Sequence, residues 1–272
     1  MLKQRVITAL CLAAVLFVIL WTGSSVLFGL FLMVFFGAAA WENARLFKNP
    51  QPIITGVGAC VVFACVAYFL SVREYIWMAL AGCAIWGVFL IPALFGRMPA
   101  QGAPLDHICQ WLYLFSVLSS VIAVWVLYSR SVFFLLSVLV VIWLADIGAY
   151  FAGRTFGKHK LAPSISPGKT WEGVAGGVIA VLVAGIVAVL TSLRYDNIAM
   201  TVYTRYGWVG MIFVLIILVA LSIIGDLLES KLKRRSGMKD SSNLLPGHGG
   251  VLDRIDSVIP TMPVALLIGL WL

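Results

Sequence analysis

Apolar runs of about 20 residues recur along almost the whole chain, and no other feature restricts its fold so strongly. A helix needs about 20 mostly apolar residues to cross a membrane. With 62% hydrophobic and 11% charged residues, the chain has more apolar surface than a soluble core of 272 residues can bury. The sequence therefore predicts an all-α, polytopic integral membrane protein with about nine transmembrane helices. Their approximate bounds are 6–21, 25–41, 52–71, 76–95, 108–128, 132–152, 173–193, 207–229 and 255–272.

The basic residues predict how these helices are oriented. An odd number of spans puts the termini on opposite sides, so that alternate loops can be counted together. One side then carries fifteen of the nineteen lysines and arginines, and the other carries Arg73, Arg130, Arg194 and Arg205. Because cytoplasmic loops are enriched in Lys and Arg, we expect the N-terminus inside, the C-terminus outside, and a location in the cytoplasmic (inner) membrane. The net charge of +8 is then a topology signal that also attracts anionic lipid, and we do not expect nucleic acid as a partner.

The acidic residues divide this single membrane domain (1–272) into two parts. Residues 1–130 contain few ionisable groups and are interpreted as a transmembrane scaffold. Residues 131–272, with long cytoplasmic loops at 153–172 and 230–254, are interpreted as the catalytic half. Seven of the eight acids after residue 130 lie there in motif-like contexts: Asp146, Glu172, Asp226, Glu229, Asp240, Asp253 and Asp256.

Two of these acids end the eighth predicted span. Asp226 and Glu229 are three residues apart, so they share a helix face, to which Lys233 returns. A charge at the centre of a membrane helix costs about 2.5–3.5 kcal/mol, and less near the interface. Either nearby Lys and Arg side chains compensate these acids, or the pair binds a cation.

A second acidic pair favours the cation. In the segment from His248 to Asp256, Gly249 and Gly250 precede Asp253, and Arg254 follows it. Glycines allow a phosphate to approach the backbone closely. Mg²⁺ is usually held by one or two carboxylates together with substrate phosphates. A helix cap at Asp253 would not explain the two glycines and the Arg-x-Asp sequence around it.

A basic segment joins the two acidic pairs. It contains Lys233, Arg234, Lys239 and the acid Asp240. Such a run marks a cytoplasmic loop, and beside metal-binding carboxylates it also supplies the positive field that a triphosphate requires. His248 has oxygen-rich neighbours, which favour a hydrogen bond to phosphate or carboxylate over a soft-metal site.

The other long loop contains Ser-Pro-Gly-Lys-Thr-Trp at 166–171. It is interpreted either as a proline turn that leads into a capped helix or as a phosphate seat made by Ser166, Lys169 and Thr170. The GxxxxGK[ST] spacing of a Walker A loop is absent. Upstream, Asp146 is a lone acid in an apolar run, which is a candidate for function or for a buried ion pair.

These motifs resemble the phosphatidate cytidylyltransferase family, the bacterial CDP-diacylglycerol synthases. The family pattern runs from Ser-x-hydrophobic-Lys-Arg through Lys-Asp to His-Gly-Gly-hydrophobic-x-Asp-Arg-hydrophobic-Asp, and it is unbroken here from Ser230 to Asp256. The segments 143–150 and 166–171 are also similar to family features. The likeness covers the whole chain, although it is weaker before residue 130.

The resemblance implies an enzyme that joins CTP to phosphatidic acid, with Asp226 and Asp253 holding Mg²⁺. It leaves open whether a second, monovalent cation shares the site, and it implies a homodimer. Asp256, Lys239 and His248 are expected in the catalytic centre. The expected substrate-binding residues are Ser166, Lys169, Thr170, Lys233, Arg234, Asp240, Gly249, Gly250, Arg254 and Asp146.

Three other classes of protein explain the sequence less well. A CDP-alcohol phosphatidyltransferase would carry Asp-x-x-Asp-Gly, Ala-Arg and a later Asp-x-x-x-Asp, and this arrangement is missing, as is the acidic repeat of a polyprenyl-phosphate enzyme. A transporter would place ionisable groups near the bilayer midplane on broken helices, whereas here they cluster at one membrane face.

Overall fold

The fold is built almost entirely from helices. It is taken from a computed structural model that describes residues 2–191 and 195–271. The helices are α1 (Leu2–Thr22), α2 (Ser25–Leu46), α3 (Pro52–Phe69), α4 (Val72–Ile85), α5 (Ile91–Phe95), α6 (Pro104–Arg130), α7 (Val132–Phe156), α8 (Trp171–Leu190), α9 (Ile198–Ser236), α10 (Leu252–Ile255) and α11 (Val258–Trp271). A π-helical stretch, Trp86–Leu90, joins α4 to α5. The two strands are β1 (Lys160–Ala162) and β2 (Ser166–Thr170).

The number of apolar helices agrees with the predicted membrane protein. Within the described residues, seven helices are long and apolar enough to cross a membrane when Val72–Phe95 is counted as one. The apolar helix at Val258–Leu270 is shorter, and α1 is 21 residues long. Within the described residues, each predicted run therefore coincides with helical structure, which at 76–95 consists of α4, the π-helical stretch and α5. The all-α polytopic architecture is confirmed. The side of the membrane on which each terminus lies stays a prediction.

An antiparallel β-hairpin interrupts the helices between α7 and α8. Lys160 pairs with Thr170, and Ala162 pairs with Ser166. The strands have three and five residues, too few to show the alternation of apolar and polar residues by which strands are recognised in a sequence. The sequence predicted a proline turn or a phosphate seat here and did not show that the N–H groups of one strand would donate to the carbonyl oxygens of the other.

Glycines bring α7 and α8 into close contact and so fix the position of the hairpin between them. A Cβ at Gly148 would lie 2.7 Å from the carbonyl oxygen of Gly176, and a Cβ at Gly177 would lie 2.7 Å from that of Ala145. Small residues at such positions let helix backbones approach closely in membranes. The hairpin is thereby held at one end of this helix pair.

Helix α9 is bent near its start and carries the acidic pair near its end. Gly207 has φ 66° and ψ −165°, a left-handed conformation that glycine adopts without steric cost. The long segment that follows this kink extends to Ser236. It is followed by the motif loop, residues 237–251, which connects α9 to α10.

Candidate active site

The hairpin holds Lys169 between two fixed points. Thr170 ends β2 and caps α8, because its hydroxyl accepts a hydrogen bond from Gly173 N at 3.1 Å. Just before β1, the backbone N–H groups of Lys158 and His159 donate hydrogen bonds to Glu172 of α8. The capped-helix interpretation of this loop is therefore confirmed for Thr170, and Lys169 is the β2 residue immediately before this cap.

Lys169 reaches the acidic pair of α9. Its Nζ lies 2.6 Å from Oδ2 of Asp226, and both side chains are partly exposed, 24% and 30%. The other oxygen of Asp226, Oδ1, accepts a hydrogen bond from the Ser230 hydroxyl at 3.2 Å. Two motifs that are far apart in the sequence therefore meet at one ion pair.

A cavity of about 440 Å³ opens around this ion pair. Asp146 of α7 and Arg154 line it together with the ion pair, and Arg154 donates a hydrogen bond to the Tyr150 hydroxyl at 2.9 Å. Ser166 and Thr170 of the hairpin lie in the same wall. The cavity thus combines cationic, hydroxyl and carboxylate groups, which are the groups that a phosphate and its counter-cation require.

A second ion-pair cluster forms where α9 meets α10. Lys233 contacts both the buried Glu229 and Oδ1 of Asp253, the latter at 2.5 Å. The second oxygen of Asp253, Oδ2, accepts hydrogen bonds from Ser241 N (2.9 Å), Ser241 Oγ (2.9 Å) and Gly250 N (2.8 Å). Burial by itself would raise the pKa of Asp253, but the bonds from Lys233, Gly250 and Ser241 outweigh it and lower that pKa. Asp253 is therefore held as a carboxylate.

Asp256 links the two clusters. A Cβ at Gly225 would collide with the backbone oxygen of Asp256, so this residue lies against α9 beside Asp226. Asp256 is close enough to Asp226 for the negative charge of Asp226 to act on it. The clusters around Asp226 and Asp253 are therefore neighbours.

The composition of the site suits a cation that is shared with a substrate. Mg²⁺ prefers oxygen ligands and is commonly held by one or two carboxylates, with phosphate oxygens and water completing its shell. Among the described residues, no three Asp, Glu, His or Cys side chains form a ready-made metal cage. However, each oxygen of Asp226 takes a single protein contact, which leaves further lone pairs. Carboxyl groups outnumber basic groups here: Asp146, Asp226, Glu229, Asp253 and Asp256 against Arg154, Lys169 and Lys233.

Part of the basic segment binds the scaffold instead of facing the site. Lys231 Nζ donates to the carbonyl oxygens of Ala93 (2.9 Å), Leu94 (2.8 Å) and Gly96 (2.6 Å), at the end of α5. Arg235 pairs with the buried Asp106 of α6. These residues fix the end of α9, whereas Arg234, Lys239 and Asp240 are exposed.

Gly250 and Arg254, which were predicted to bind substrate, form hydrogen bonds with other residues of the protein. Gly250 is buried, and its N–H donates to Asp253. Arg254 donates to the carbonyl oxygen of His248 through Nε at 2.9 Å, and the His248 ring nitrogen Nδ1 has no hydrogen-bond partner in the part of the chain that the structure describes. Contact of these residues with substrate stays a prediction.

Glu42 is a member of this region that the sequence interpretation left in the scaffold. It lies on α2, is fully buried, and accepts hydrogen bonds from both ends of the motif loop. The sequence carried no clear signal for it, because Glu42 directly follows the predicted run 25–41 and has Asn43 and Arg45 beside it, as an acid at the membrane interface would.

Comparison with known proteins shows the family of the chain. The model of the cytidylyltransferase family matches residues 3–271. The chain belongs to the cytidylyltransferase family. Two family relatives, both named phosphatidate cytidylyltransferase, are similar over nearly the whole chain. The protein of Haemophilus influenzae is 36% identical, covering 97% of this chain and 96% of its own. That of Pseudomonas aeruginosa is 38% identical, covering 97% and 95%. A phosphatidate cytidylyltransferase of Bacillus subtilis is 48% identical over 46% of this chain and 42% of its own.

Proposed function

We propose that this cytidylyltransferase joins CTP to phosphatidic acid and releases pyrophosphate, producing CDP-diacylglycerol. The observation that carries the proposal is the contact of Lys169 with Asp226 across the cavity. This contact places the hairpin, which we interpret as a phosphate-binding segment, next to the carboxylates of α9. The names of the two full-length relatives support the same substrates.

The transfer exchanges one phosphate bond for another. A phosphate oxygen of phosphatidic acid attacks the α-phosphorus of CTP, and the bond from that phosphorus to the β-phosphate oxygen breaks, so that pyrophosphate leaves. Because the attacking phosphate is already ionised near neutral pH, orientation and charge stabilisation matter more than a strong base. Lys169 and Arg154 line the cavity and neutralise phosphate charge there.

Asp226 and Asp253 are the residues that would hold Mg²⁺, and Asp253 would do so through Oδ1, because its Oδ2 already accepts three hydrogen bonds. The bound ion would supply positive charge to the phosphates as negative charge develops on them. Lys233 keeps Asp253 ionised and in place. Asp146 and Asp256 lie beside Asp226 and orient the groups around it.

We further infer that the reaction takes place at the inner face of the cytoplasmic membrane. The excess of Lys and Arg on one side of the membrane supports this placement. A homodimer is part of the proposal through the family resemblance, and light scattering of the detergent-solubilised protein measures it. A mass of one chain per particle would contradict the dimer.

Purified protein in mixed micelles, supplied with CTP labelled in its cytosine ring and with phosphatidic acid, tests the activity. The expected product is a lipid-extractable cytidine label that forms only when Mg²⁺ and phosphatidic acid are both present. Absence of this product, combined with uptake of ions or phosphate into liposomes, would instead favour a transporter.

A further inference from the structure

Glu42 is a buried carboxylate in the half of the chain interpreted as scaffold, and all its partners are donors from the site. Oε1 accepts hydrogen bonds from the Ser242 hydroxyl (2.5 Å) and Val251 N (2.9 Å). Oε2 accepts bonds from the Ser241 hydroxyl (3.0 Å) and Leu252 N (2.7 Å). The side chain is fully buried, so these bonds take the place of water around the carboxylate.

Two of these donors precede Asp253 in the chain, and a third, Ser241, also donates to it. Ser241 and Ser242 lie near the start of the motif loop, whereas Val251 and Leu252 immediately precede Asp253. Glu42 therefore ties together the two ends of the loop that supplies the donors to Asp253.

The Ser241 hydroxyl connects the two carboxylates directly. Its oxygen lies 3.0 Å from Oε2 of Glu42 and 2.9 Å from Oδ2 of Asp253. A hydroxyl has a single hydrogen to donate, so the two carboxylates share this donor. Any movement of Glu42 therefore changes the hydrogen bonding of Asp253.

Gly250 makes this contact possible. A Cβ at Gly250 would collide with Ser241 Oγ and with Oε1 of Glu42. The glycine thus leaves room for the carboxylate while its own N–H donates to Asp253 at 2.8 Å. The requirement for glycine here follows from the packing of Ser241 and Glu42, independently of any bound phosphate.

We propose that Glu42 is a positioning residue that clamps the motif loop and thereby holds Asp253 in the orientation required for the transfer reaction. This inference rests on the proposed function. Neither Gln nor Asp can replace Glu42 in this role. A Gln would turn its NH₂ group, itself a donor, toward two of the four donors, and an Asp is one methylene too short to reach both ends of the loop.

The test compares Glu42→Gln with Asn43→Ala, a change at the next residue of α2. Asn43 is equally buried, but its Nδ2 donates to the Gln110 carbonyl oxygen at 3.2 Å on α6, so the control perturbs the same helix without reaching the loop. Two quantities are measured on folded, detergent-solubilised protein. The first is hydrogen exchange of the amides at 250–252, and the second is the Mg²⁺ dependence of turnover.

Removing residues that orient metal ligands typically costs about 10- to 100-fold in metal affinity or activity. We expect a change of that size in kcat or in half-saturating Mg²⁺ for Glu42→Gln, with faster exchange at Val251 and Leu252. Asn43→Ala should leave both quantities at wild-type values even if its melting temperature falls. A purely structural role for Glu42 would lower the melting temperature without changing the Mg²⁺ dependence, and that result would overturn the proposal.

Ser242→Ala is the milder variant if Glu42→Gln does not fold. It removes one donor to Glu42 and the acceptor of Leu244 N, and it leaves every donor to Asp253 in place. Exchange at Val251 and Leu252, which lie outside the bond to Leu244, should rise to a smaller extent. Unchanged exchange in this variant would likewise refute the clamp. Hydrogen exchange is measured without substrate, so it tests the role of Glu42 separately from the activity. If the wild-type protein makes no CDP-diacylglycerol, that result counts against the proposed function and not against the role of Glu42.

Discussion

Replacing Asp253 with Asn removes one negative charge from the site and changes little else in size. The side chain is 7% exposed and accepts hydrogen bonds from Ser241 and Gly250 on one oxygen, while the other oxygen contacts Lys233 at 2.5 Å. If the Asn oxygen keeps the first set of donors, its NH₂ group faces the Lys233 ammonium, and two donors oppose each other.

The expected consequence is a large loss of activity in a folded protein. Hydrogen bonds to charged groups contribute about 1.5–3 kcal/mol each, so the loss of the Lys233 contact lowers stability by about that amount. Removing one group that stabilises transition-state charge typically reduces kcat about 10²- to 10³-fold, or roughly 3–4 kcal/mol. We therefore expect Asp253→Asn to retain at most about a hundredth of wild-type turnover.

The assay is Mg²⁺-dependent conversion of CTP and phosphatidic acid by purified protein, with a thermal melt to confirm folding. Asp196→Asn is the matched control, because it makes the same chemical change at an exposed position in the loop before α9, and it should leave turnover unchanged. If Asp253→Asn keeps more than about a tenth of wild-type activity, the carboxylate is part of a structural ion-pair network and does not act in the reaction.

Other substitutions test separate parts of the site. Lys169→Ala should raise the KM for CTP or lower kcat. Membrane insertion should stay normal, because the lysine lies on the hairpin outside any span. Unchanged kinetics would show that the hairpin has a structural role only. Asp226→Asn should be as severe as Asp253→Asn, and the double variant should be hardly worse than either in the same turnover assay, as expected of groups that act as one unit; additive losses would contradict this. Gly250→Ala should lower the melting temperature through overpacking that costs about 1–3 kcal/mol. Gly58→Ala should not lower it, because a Cβ at Gly58 would meet nothing within 4 Å. Equal melting temperatures of the two variants would argue against tight packing at Gly250. Cysteines introduced in the motif loop should resist impermeant thiol reagents in intact cells, and labelling from outside would reverse the predicted orientation.

The sequence was sufficient to predict the helices and the principal acids. Apolar runs of membrane-spanning length determine where helices form, since the backbone must satisfy its own hydrogen bonds inside lipid. The three-residue spacing of Asp226 and Glu229 correctly predicted that Lys233 would reach the same helix face, where it contacts Glu229. These predictions depend only on local geometry.

The remaining features depend on contacts between distant segments. The partner of Asp226 is Lys169 on a hairpin too short to have a recognisable strand pattern. Glu42 is separated from Ser241 by 199 positions, so no local rule connects them. Within the basic segment, sequence spacing could not show that Lys231 and Arg235 would bind the ends of other helices while Lys233 entered the site.

The fate of each phosphate of CTP tests the proposed transfer most directly. Two parallel reactions with phosphatidic acid and Mg²⁺ would use CTP labelled either at the α-phosphorus or at the γ-phosphorus, followed by separation of lipid from water-soluble products. Attack at the α-phosphorus predicts that the α label appears in the lipid and the γ label in pyrophosphate, in equal molar amounts. A γ label in the lipid, or an α label that stays in water while CTP is consumed, would contradict the proposed reaction.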